Sequence, residues 1–148
     1  MSKEYALILG VSSGIGAACA KELAKSGMNI IGLYMRKPKD KIERLNNEIL
    51  KYNVDSKLIK MNACNYEEME SLLISEEFND IKIKAFIHSL AFGSMKPLIH
   101  SDKPKRLNKK NIDMTIDVMS NSLIYWSQSI YDNNLFCEGS QIIAMTSA

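Results

Sequence analysis

A glycine-rich turn close to the N-terminus carries the residue types that bind phosphate. Gly10, Gly14 and Gly16 occur in the segment GVSSGIG, in which Ser12 and Ser13 supply hydroxyl donors. Gly10 would allow a sharp exit from a strand, Gly14 would leave no side chain in front of a pyrophosphate, and Gly16 would let a helix approach the sheet. The first turn of such a helix presents unpaired N–H groups and a partial positive charge to an anion. The pattern predicts a dinucleotide-binding turn, and the alternative is a turn with only a structural role.

The residues on either side of the turn predict the strand and the helix that hold it. The apolar run 5–9 has the length of a strand that is buried on both faces. Apolar residues then recur at helical spacing as far as Ala24, and Gly27 suits the C-terminus of a helix. A second apolar run, 29–34, completes a strand–helix–strand unit, in which a right-handed crossover makes the two strands parallel neighbours.

The glycine spacing reads G-x-x-x-G-x-G, and in this form the chain resembles the short-chain dehydrogenase/reductase family from its first strand to its last residue. Members of that family bind a nicotinamide dinucleotide and transfer hydride. The resemblance implies an α/β fold of the Rossmann type, with a doubly wound parallel sheet in the order 3-2-1-4-5 and helices on both faces. It places the catalytic Tyr and Lys after residue 148. We therefore expect residues 1–148 to form one dinucleotide-binding domain, the N-terminal part of a longer reductase.

The loop after the second strand is expected to select the cofactor. An acid at the tip of that strand would hold the two ribose hydroxyls of NAD, whereas cations would neutralise the 2′-phosphate of NADP. The position of the acid falls on Tyr34, and the cations Arg36 and Lys37 follow. The sequence predicts NADP(H) in preference to NAD(H), and the alternative is that the two cations only belong to a solvated loop.

A third strand, 56–61, is predicted to bring Asn62 and Ala63 to the ligand-binding edge of the sheet. In the family an Asp usually occupies the position of Asn62 and lies against the adenine. The Asn keeps an acceptor and gains a donor, so an adenine contact and a role in the turn are both open.

A fourth strand, 84–88, leads into the segment His-Ser-Leu-Ala-Phe, which begins at His88. This segment resembles the enoyl-acyl carrier protein reductase branch of the family. The resemblance implies that Ser89, Leu90 and Ala91 pass under the ribose and the nicotinamide. The cofactor-binding residues are therefore expected to be Gly10, Ser12, Ser13, Gly14, Ile15, Gly16, Tyr34, Arg36, Lys37, Asn62, Ala63, Ser89, Leu90 and Ala91.

Two further features of this region have alternative interpretations. His88 could act as an acid or a base, but no carboxylate or metal partner is evident near it in the sequence. We expect it to be a satisfied, half-buried residue that ends the strand. We expect the basic segment 94–110 to be a solvated loop, and the alternative is a surface that receives the phosphate of coenzyme A or an acidic carrier protein.

A long helix with a wide apolar face is predicted to follow, with Asn111 as its cap. In the resembling family the equivalent helix forms a homodimer interface, often within a tetramer, so we expect a homodimer or homotetramer through residues 111–136. Met119 takes the place of the family's buried Asn, and Tyr125 and Tyr131 are expected to pack. The predicted apolar stripe consists of Ile112, Ile116, Met119, Leu123, Trp126 and Ile130.

Gly139 and Ser140 are expected to break the chain before a fifth strand, 141–145. In the family a Ser after this strand hydrogen-bonds the substrate carbonyl or the catalytic Tyr, and Ser147 falls on that position, so Ser147 is the catalytic residue that the resemblance implies. Enoyl reductases usually carry an aromatic residue there. The resemblance favours an NADPH-dependent reductase of an enoyl thioester. The alternatives are a 3-oxoacyl thioester or ketone reductase and a non-catalytic dinucleotide-binding sensor or interaction domain.

The composition argues against several other classes of protein. The 148 residues are 46% hydrophobic and 24% charged, which is typical of a soluble globular domain. Because the chain has 19 basic and 17 acidic residues, its net charge is only +2, and no nucleic-acid partner is expected. The sequence has no apolar stretch near the roughly 18 residues of a membrane span and no signal peptide, so a cytoplasmic location is expected. Cys19, Cys64 and Cys137 form no C-x-x-C pair; they are expected to pack, and no metal site is predicted.

Overall fold

A five-stranded parallel sheet organises the structure, a computed structural model that describes residues 2–146. The strand order is β3-β2-β1-β4-β5, which confirms the predicted fold class and sheet order. In chain order the elements are β1 (Lys3–Leu9), α1 (Gly14–Lys25), β2 (Asn29–Tyr34), α2 (Lys39–Leu50), β3 (Ser56–Lys60), α3 (Tyr66–Leu73), a 3-10 turn (Glu76–Phe78), β4 (Ile81–His88), a 3-10 turn (Lys103–Lys105), α4 (Lys109–Ile116), a π-helical turn (Asp117–Asn121), α5 (Ser122–Asp132) and β5 (Phe136–Ala144).

Apolar side chains fill both faces of the sheet. Alternate residues of β1 point to opposite faces, so Ala6 and Ile8 pack with α1 and α2, whereas Leu7 packs with α3 and α5. Trp126 and Ile130 of α5 are fully buried in the core on the side of α3 and α5, which also contains Leu7. This double covering explains why residues 5–9 of β1 form an uninterrupted apolar run.

The strand register brings the carboxyl ends of the central strands level with one another. Leu9 of β1 pairs with Leu33 of β2 on one side and with His88 of β4 on the other. The segments that leave these strands therefore start at the same edge of the sheet, which is where parallel α/β sheets bind ligands.

The prediction for the fifth strand is wrong at its start, because the strand begins at Phe136. Phe136 pairs with Ile83, and Gln141 pairs with Ala85, so residues 137–140 bulge out between these two pairs. Gly139 has φ +71°. The Ser140 hydroxyl accepts a hydrogen bond from the Cys137 N–H (2.9 Å) and lies 2.7 Å from the Ile83 carbonyl, to which it can donate. Gly139 and Ser140 thus form a bulge inside β5, whereas the sequence predicted that they come before the strand.

The predicted single helix 111–136 is also wrong in both its ends and its continuity. It starts at Lys109, because the Asn108 side chain accepts the Asn111 N–H and the Asn111 side chain accepts the Asn108 N–H, which form a reciprocal cap. It ends at Asp132. Asn134 follows with φ 53°, and the Leu135 N–H bonds back to Ile130, as in a Schellman motif.

The π-helical turn explains why the predicted apolar stripe fails in its first half. At about 100° per residue, an uninterrupted helix would align residues 112, 116 and 119 with Ile130. The extra residue in the turn aligns the preceding residues 111, 115 and 118 instead, and these are partly buried. Three members of the predicted stripe are consequently 44%, 49% and 48% exposed, namely Ile112, Ile116 and Met119.

Candidate functional site

A cleft of about 940 Å³ lies at the carboxyl ends of the strands and is bordered by the segments that follow all five of them. Gly16 is the one predicted cofactor-binding residue that does not line the cleft, and Ser147 lies outside the described residues. The predicted residues that the structure brings together here are Gly10, Ser12, Ser13, Gly14, Ile15, Tyr34, Arg36, Lys37, Asn62, Ala63, Ser89, Leu90 and Ala91.

The glycine turn between β1 and α1 needs each of its glycines for a different reason. Gly10 has φ +83°, and a Cβ there would lie 2.2 Å from the Ser89 carbonyl oxygen. A Cβ at Gly16 would lie 2.1 Å from the Gly10 carbonyl oxygen, so the absence of a side chain at Gly16 lets α1 approach the turn. Gly16 itself does not line the cleft. Gly14 has φ +56°, and a Cβ there would meet no atom of residues 2–146 within 4 Å. The space in front of Gly14 is therefore open to a ligand.

The N-terminus of α1 has no internal partner for its first N–H groups among residues 2–146. Ser13 is the N-cap residue, but its side chain makes no capping hydrogen bond, and the first turn contains no acid. By contrast, Asn65 caps α3 and Asn108 caps α4 through their side chains. The unpaired N–H groups, the dipole of α1 and the open space at Gly14 together fit the diphosphate of a dinucleotide.

Two cations lie at the end of the cleft that is bordered by β2. Arg36 and Lys37 line it, and neither forms an ion pair within the part of the chain that the structure describes. The Arg36 guanidinium carbon lies over the ring of Phe92, 5.4 Å from its centroid. Both positive charges therefore remain available to an anionic group in the cleft.

The Asn62 side chain has a confirmed role in the turn that follows β3. Its Oδ1 accepts a hydrogen bond from the Cys64 N–H at 3.0 Å. The fully buried Trp126 holds the same turn, since its Nε1–H donates to the Ala63 carbonyl at 2.8 Å. The adenine contact of Asn62 stays a prediction.

Sequence reasoning missed a polar group beside this turn. The Tyr66 hydroxyl donates to Asp117 Oδ1 at 3.0 Å, and Asp117 also lines the cleft. Burial raises the pKa of Tyr66 and, beside it, the pKa of the Cys64 thiol, so both groups stay protonated at neutral pH. Tyr66 and Asp117 are 51 positions apart, and no local pattern links them.

The two tyrosines of α5 differ in their surroundings. Tyr125 packs edge-on against Tyr66, with ring centroids 4.9 Å apart, as its predicted packing role requires. Tyr131 is 73% exposed, so the prediction that it packs is wrong within this chain.

His88 ends β4 beside a buried hydrogen-bond partner. Its Nε2 lies 2.7 Å from the Ser122 hydroxyl, which also lies 2.8 Å from the Val118 carbonyl. The hydroxyl has one proton, so Nε2 donates to it when that proton goes to Val118 and accepts from it otherwise. Because burial lowers the pKa of His88, the ring is neutral near pH 7. The prediction of a satisfied strand-end histidine is confirmed, and the residue is buried instead of half-buried.

The segment after β4 is anchored at both ends of its cleft-lining part. The Ser89 N–H donates to the Leu9 carbonyl at 3.0 Å, and the Ser94 N–H donates to Thr115 Oγ1 at 3.1 Å. Gly93 lies so close to Thr115 that a Cβ there would come within 2.8 Å of the threonine methyl group. Ser89, Leu90 and Ala91 thus form a fixed border of the cleft.

Neither a metal site nor a membrane-spanning helix occurs in residues 2–146. No group of three or more His, Cys, Asp or Glu residues in this range could hold a metal ion. None of its helices combines the length and the apolar character that crossing a membrane requires. The three cysteines are partly buried free thiols.

The sheet order and the glycine turn define a Rossmann-type domain. Residues 10–148 match the family model described as enoyl-(acyl carrier protein) reductase, and the chain belongs to the short-chain dehydrogenase/reductase family, whose members are oxidoreductases that bind nicotinamide dinucleotides.

Comparisons with individual proteins agree with this assignment. A very-long-chain 3-oxoacyl-CoA reductase of Anas platyrhynchos is 29% identical over 120 residues, which cover 79% of this chain and 35% of that protein. A 7beta-hydroxysteroid dehydrogenase of Mediterraneibacter gnavus is 28% identical over 95 residues, 63% of this chain and 35% of that protein. The structure of a short-chain dehydrogenase/reductase from Serratia marcescens is similar, with a TM-score of 0.79 at 19% identity, over 99% of this chain and 56% of that one. The chain thus spans about a third of the length of these curated relatives.

Proposed function

We propose that the protein is an NADPH-dependent reductase of an acyl thioester, with an enoyl thioester as the substrate class. The observation that carries this proposal is the cleft itself. It combines an open helix N-terminus at Gly14 with two cations at the end bordered by β2, Arg36 and Lys37, which form no ion pair within residues 2–146. A dinucleotide with a phosphorylated ribose carries two anionic groups, the diphosphate and the 2′-phosphate, which these two features would bind.

Each border of the cleft has a task in this proposal. The N–H groups of the first turn of α1, with the Ser12 and Ser13 hydroxyls, would hold the diphosphate. Arg36 and Lys37 would hold the 2′-phosphate, and the border from Ser89 to Ala91 would support the nicotinamide half. A bound nicotinamide supplies hydride to the substrate. Ser147 would hydrogen-bond the substrate or a catalytic Tyr.

The choice of an enoyl substrate has specific support. The description of the matching family model names enoyl reduction, and the segment that begins at His88 resembles the same branch. A second candidate, reduction of a 3-oxoacyl thioester, is favoured by the name of the relative from Anas platyrhynchos and by the serine at position 147.

We also propose that the protein forms a homodimer or a homotetramer through α4 and α5. The exposed apolar side chains Ile112, Ile116 and Met119 support this proposal, because a second copy could cover them. Light scattering after gel filtration tests it, and a monomer at micromolar concentration would contradict it.

The cofactor is tested by titrating the intact protein with NADPH and with NADH while following nicotinamide fluorescence. Replacing Arg36 and Lys37 by alanine should weaken NADPH binding at least about tenfold, because each charged hydrogen bond contributes about 1.5–3 kcal/mol. NADH binding should not change. Lys39→Ala is the matched control, since Lys39 is a neighbouring exposed cation that pairs with Glu43 and does not line the cleft.

The substrate is tested by following NADPH consumption with crotonyl and acetoacetyl thioesters. Oxidation by the crotonyl thioester supports enoyl reduction, and oxidation by the acetoacetyl thioester alone supports the second candidate. Binding of NADPH without oxidation by either compound would leave only a dinucleotide sensor. Failure of the intact protein to bind NADPH would overturn the proposal as a whole.

A further inference from the structure

The contact between Arg36 and Phe92 joins two sides of the cleft. Arg36 follows β2, Phe92 follows β4, and β1 lies between these two strands. A contact between the two segments must therefore pass across the end of β1, where the glycine turn leaves the sheet. Both residues line the cleft, and the guanidinium carbon is 5.4 Å from the ring centroid.

The two partners differ in how firmly the structure holds them. Phe92 lies between two backbone anchors, the Ser89 bond to Leu9 and the Ser94 bond to Thr115. Arg36 is exposed and has no carboxylate partner among the residues that the structure describes. Among the described residues, the ring of Phe92 is thus the group that restrains the long Arg36 side chain, which would otherwise sample many rotamers.

We propose that Phe92 is a positioning residue that sets the cofactor specificity, because its ring holds the Arg36 guanidinium in place for a 2′-phosphate. This inference rests on the proposed function. An arginine side chain loses rotamer freedom when it binds a phosphate, and a side chain that is already restrained loses less. The aromatic face attracts the cation without neutralising it.

A neutral ring suits this task better than a carboxylate would. A carboxylate beside Arg36 would occupy its N–H donors and would repel an incoming phosphate. The ring leaves both the charge and the planar set of donors available. Lys37 lies over no aromatic ring of the described residues, and its contribution would be that of a flexible point charge.

The test is the ratio of NADH to NADPH dissociation constants, measured by fluorescence titration of the full chain. Phe92→Leu should weaken NADPH binding about two- to fivefold, as expected for an exposed cation–π contact, and should leave NADH binding unchanged. Phe92→Tyr keeps an aromatic face and should have the same ratio of dissociation constants as the wild type. Met95→Ala is the matched control, because Met95 is an exposed apolar residue of the same segment that does not line the cleft.

A double-mutant cycle separates positioning from a merely structural role. In an Arg36→Ala background, Phe92→Leu should have no further effect on the ratio. An equal loss of affinity for both cofactors in Phe92→Leu would mean that the ring only supports the loop, and this would overturn the inference. If the wild type prefers NADPH and Phe92→Leu leaves the ratio of dissociation constants unchanged, the inference would be overturned and the proposed function would stand. A wild-type chain that binds neither cofactor would overturn the proposed function and the inference with it.

Discussion

Replacing Gly14 by alanine should separate cofactor affinity from folding stability. The residue has φ +56°, and a new Cβ would meet no atom of the described part of the chain within 4 Å. The left-handed backbone of an alanine costs about 1–2 kcal/mol, and the open surroundings add no steric cost. The methyl group would, however, stand in the cleft where the proposed diphosphate approaches the backbone. Loss of one charge-assisted hydrogen bond there should weaken the binding of NADPH and of NADH alike, at least about tenfold.

Two other glycines provide the comparison that this prediction needs. Gly27 has φ +87° and equally open surroundings, but it lies beyond the other end of α1. Gly27→Ala should therefore lose about 1–2 kcal/mol of stability and no affinity. Gly10→Ala combines φ +83° with a Cβ 2.2 Å from a backbone oxygen, so overpacking of about 1–3 kcal/mol should be added to the backbone strain.

Urea denaturation followed by circular dichroism measures the stability of the three variants, and nicotinamide fluorescence measures their affinity while they are folded. Wild-type affinity in Gly14→Ala would refute the idea that the turn holds the diphosphate. An equal loss of affinity in Gly27→Ala would show that strain in α1, and not contact with the ligand, causes the effect. A Gly10→Ala variant as stable as Gly27→Ala would contradict the close approach to Ser89.

Two further predictions concern the residues that support the cleft. Trp126→Phe leaves the Ala63 carbonyl without its donor, so the free energy of unfolding in urea should fall by about 1–3 kcal/mol; an unchanged value would show that the bond is not stabilising. Burial lowers the pKa of His88, so the unfolded chain takes up its proton at a higher pH than the folded chain. The wild type should lose stability as the pH falls from about 6.5 towards the pKa of the folded state, and His88→Gln should lose less; parallel pH profiles would contradict this.

The sheet and the glycine turn could be predicted because their signals are local. The run 5–9 is apolar without alternation, as a strand covered on both faces requires, and the glycines stand where that strand gives way to a helix. Their spacing is sufficient to predict that Gly10 and Gly14 line a ligand site, and the basic pair after Tyr34 is sufficient to predict cations in the same cleft.

The remaining features depend on residues that are distant in sequence. The bulge in β5 is stabilised by Ser140 at the Ile83 carbonyl, and the hydrogen-bond partner of His88 is Ser122, 34 positions away. No pattern in the sequence links Arg36 to Phe92. The start of α4 was missed for another reason, since Asn108 and Asn111 are equally good caps by residue type and only their mutual hydrogen bonds decide between them.

The π-helical turn sets the rotation of α5 relative to α4. Deletion of a single residue from 117–121 would remove the extra residue and leave a regular helix in which residues 111, 115 and 118 stay aligned with Ile130. If the turn became regular with all of its residues kept, everything after it would rotate by about 100° relative to α4. Trp126 and Ser122 would then lose their hydrogen bonds to Ala63 and His88. The segment should therefore tolerate the loss of one residue and fail when it is rewound at its present length.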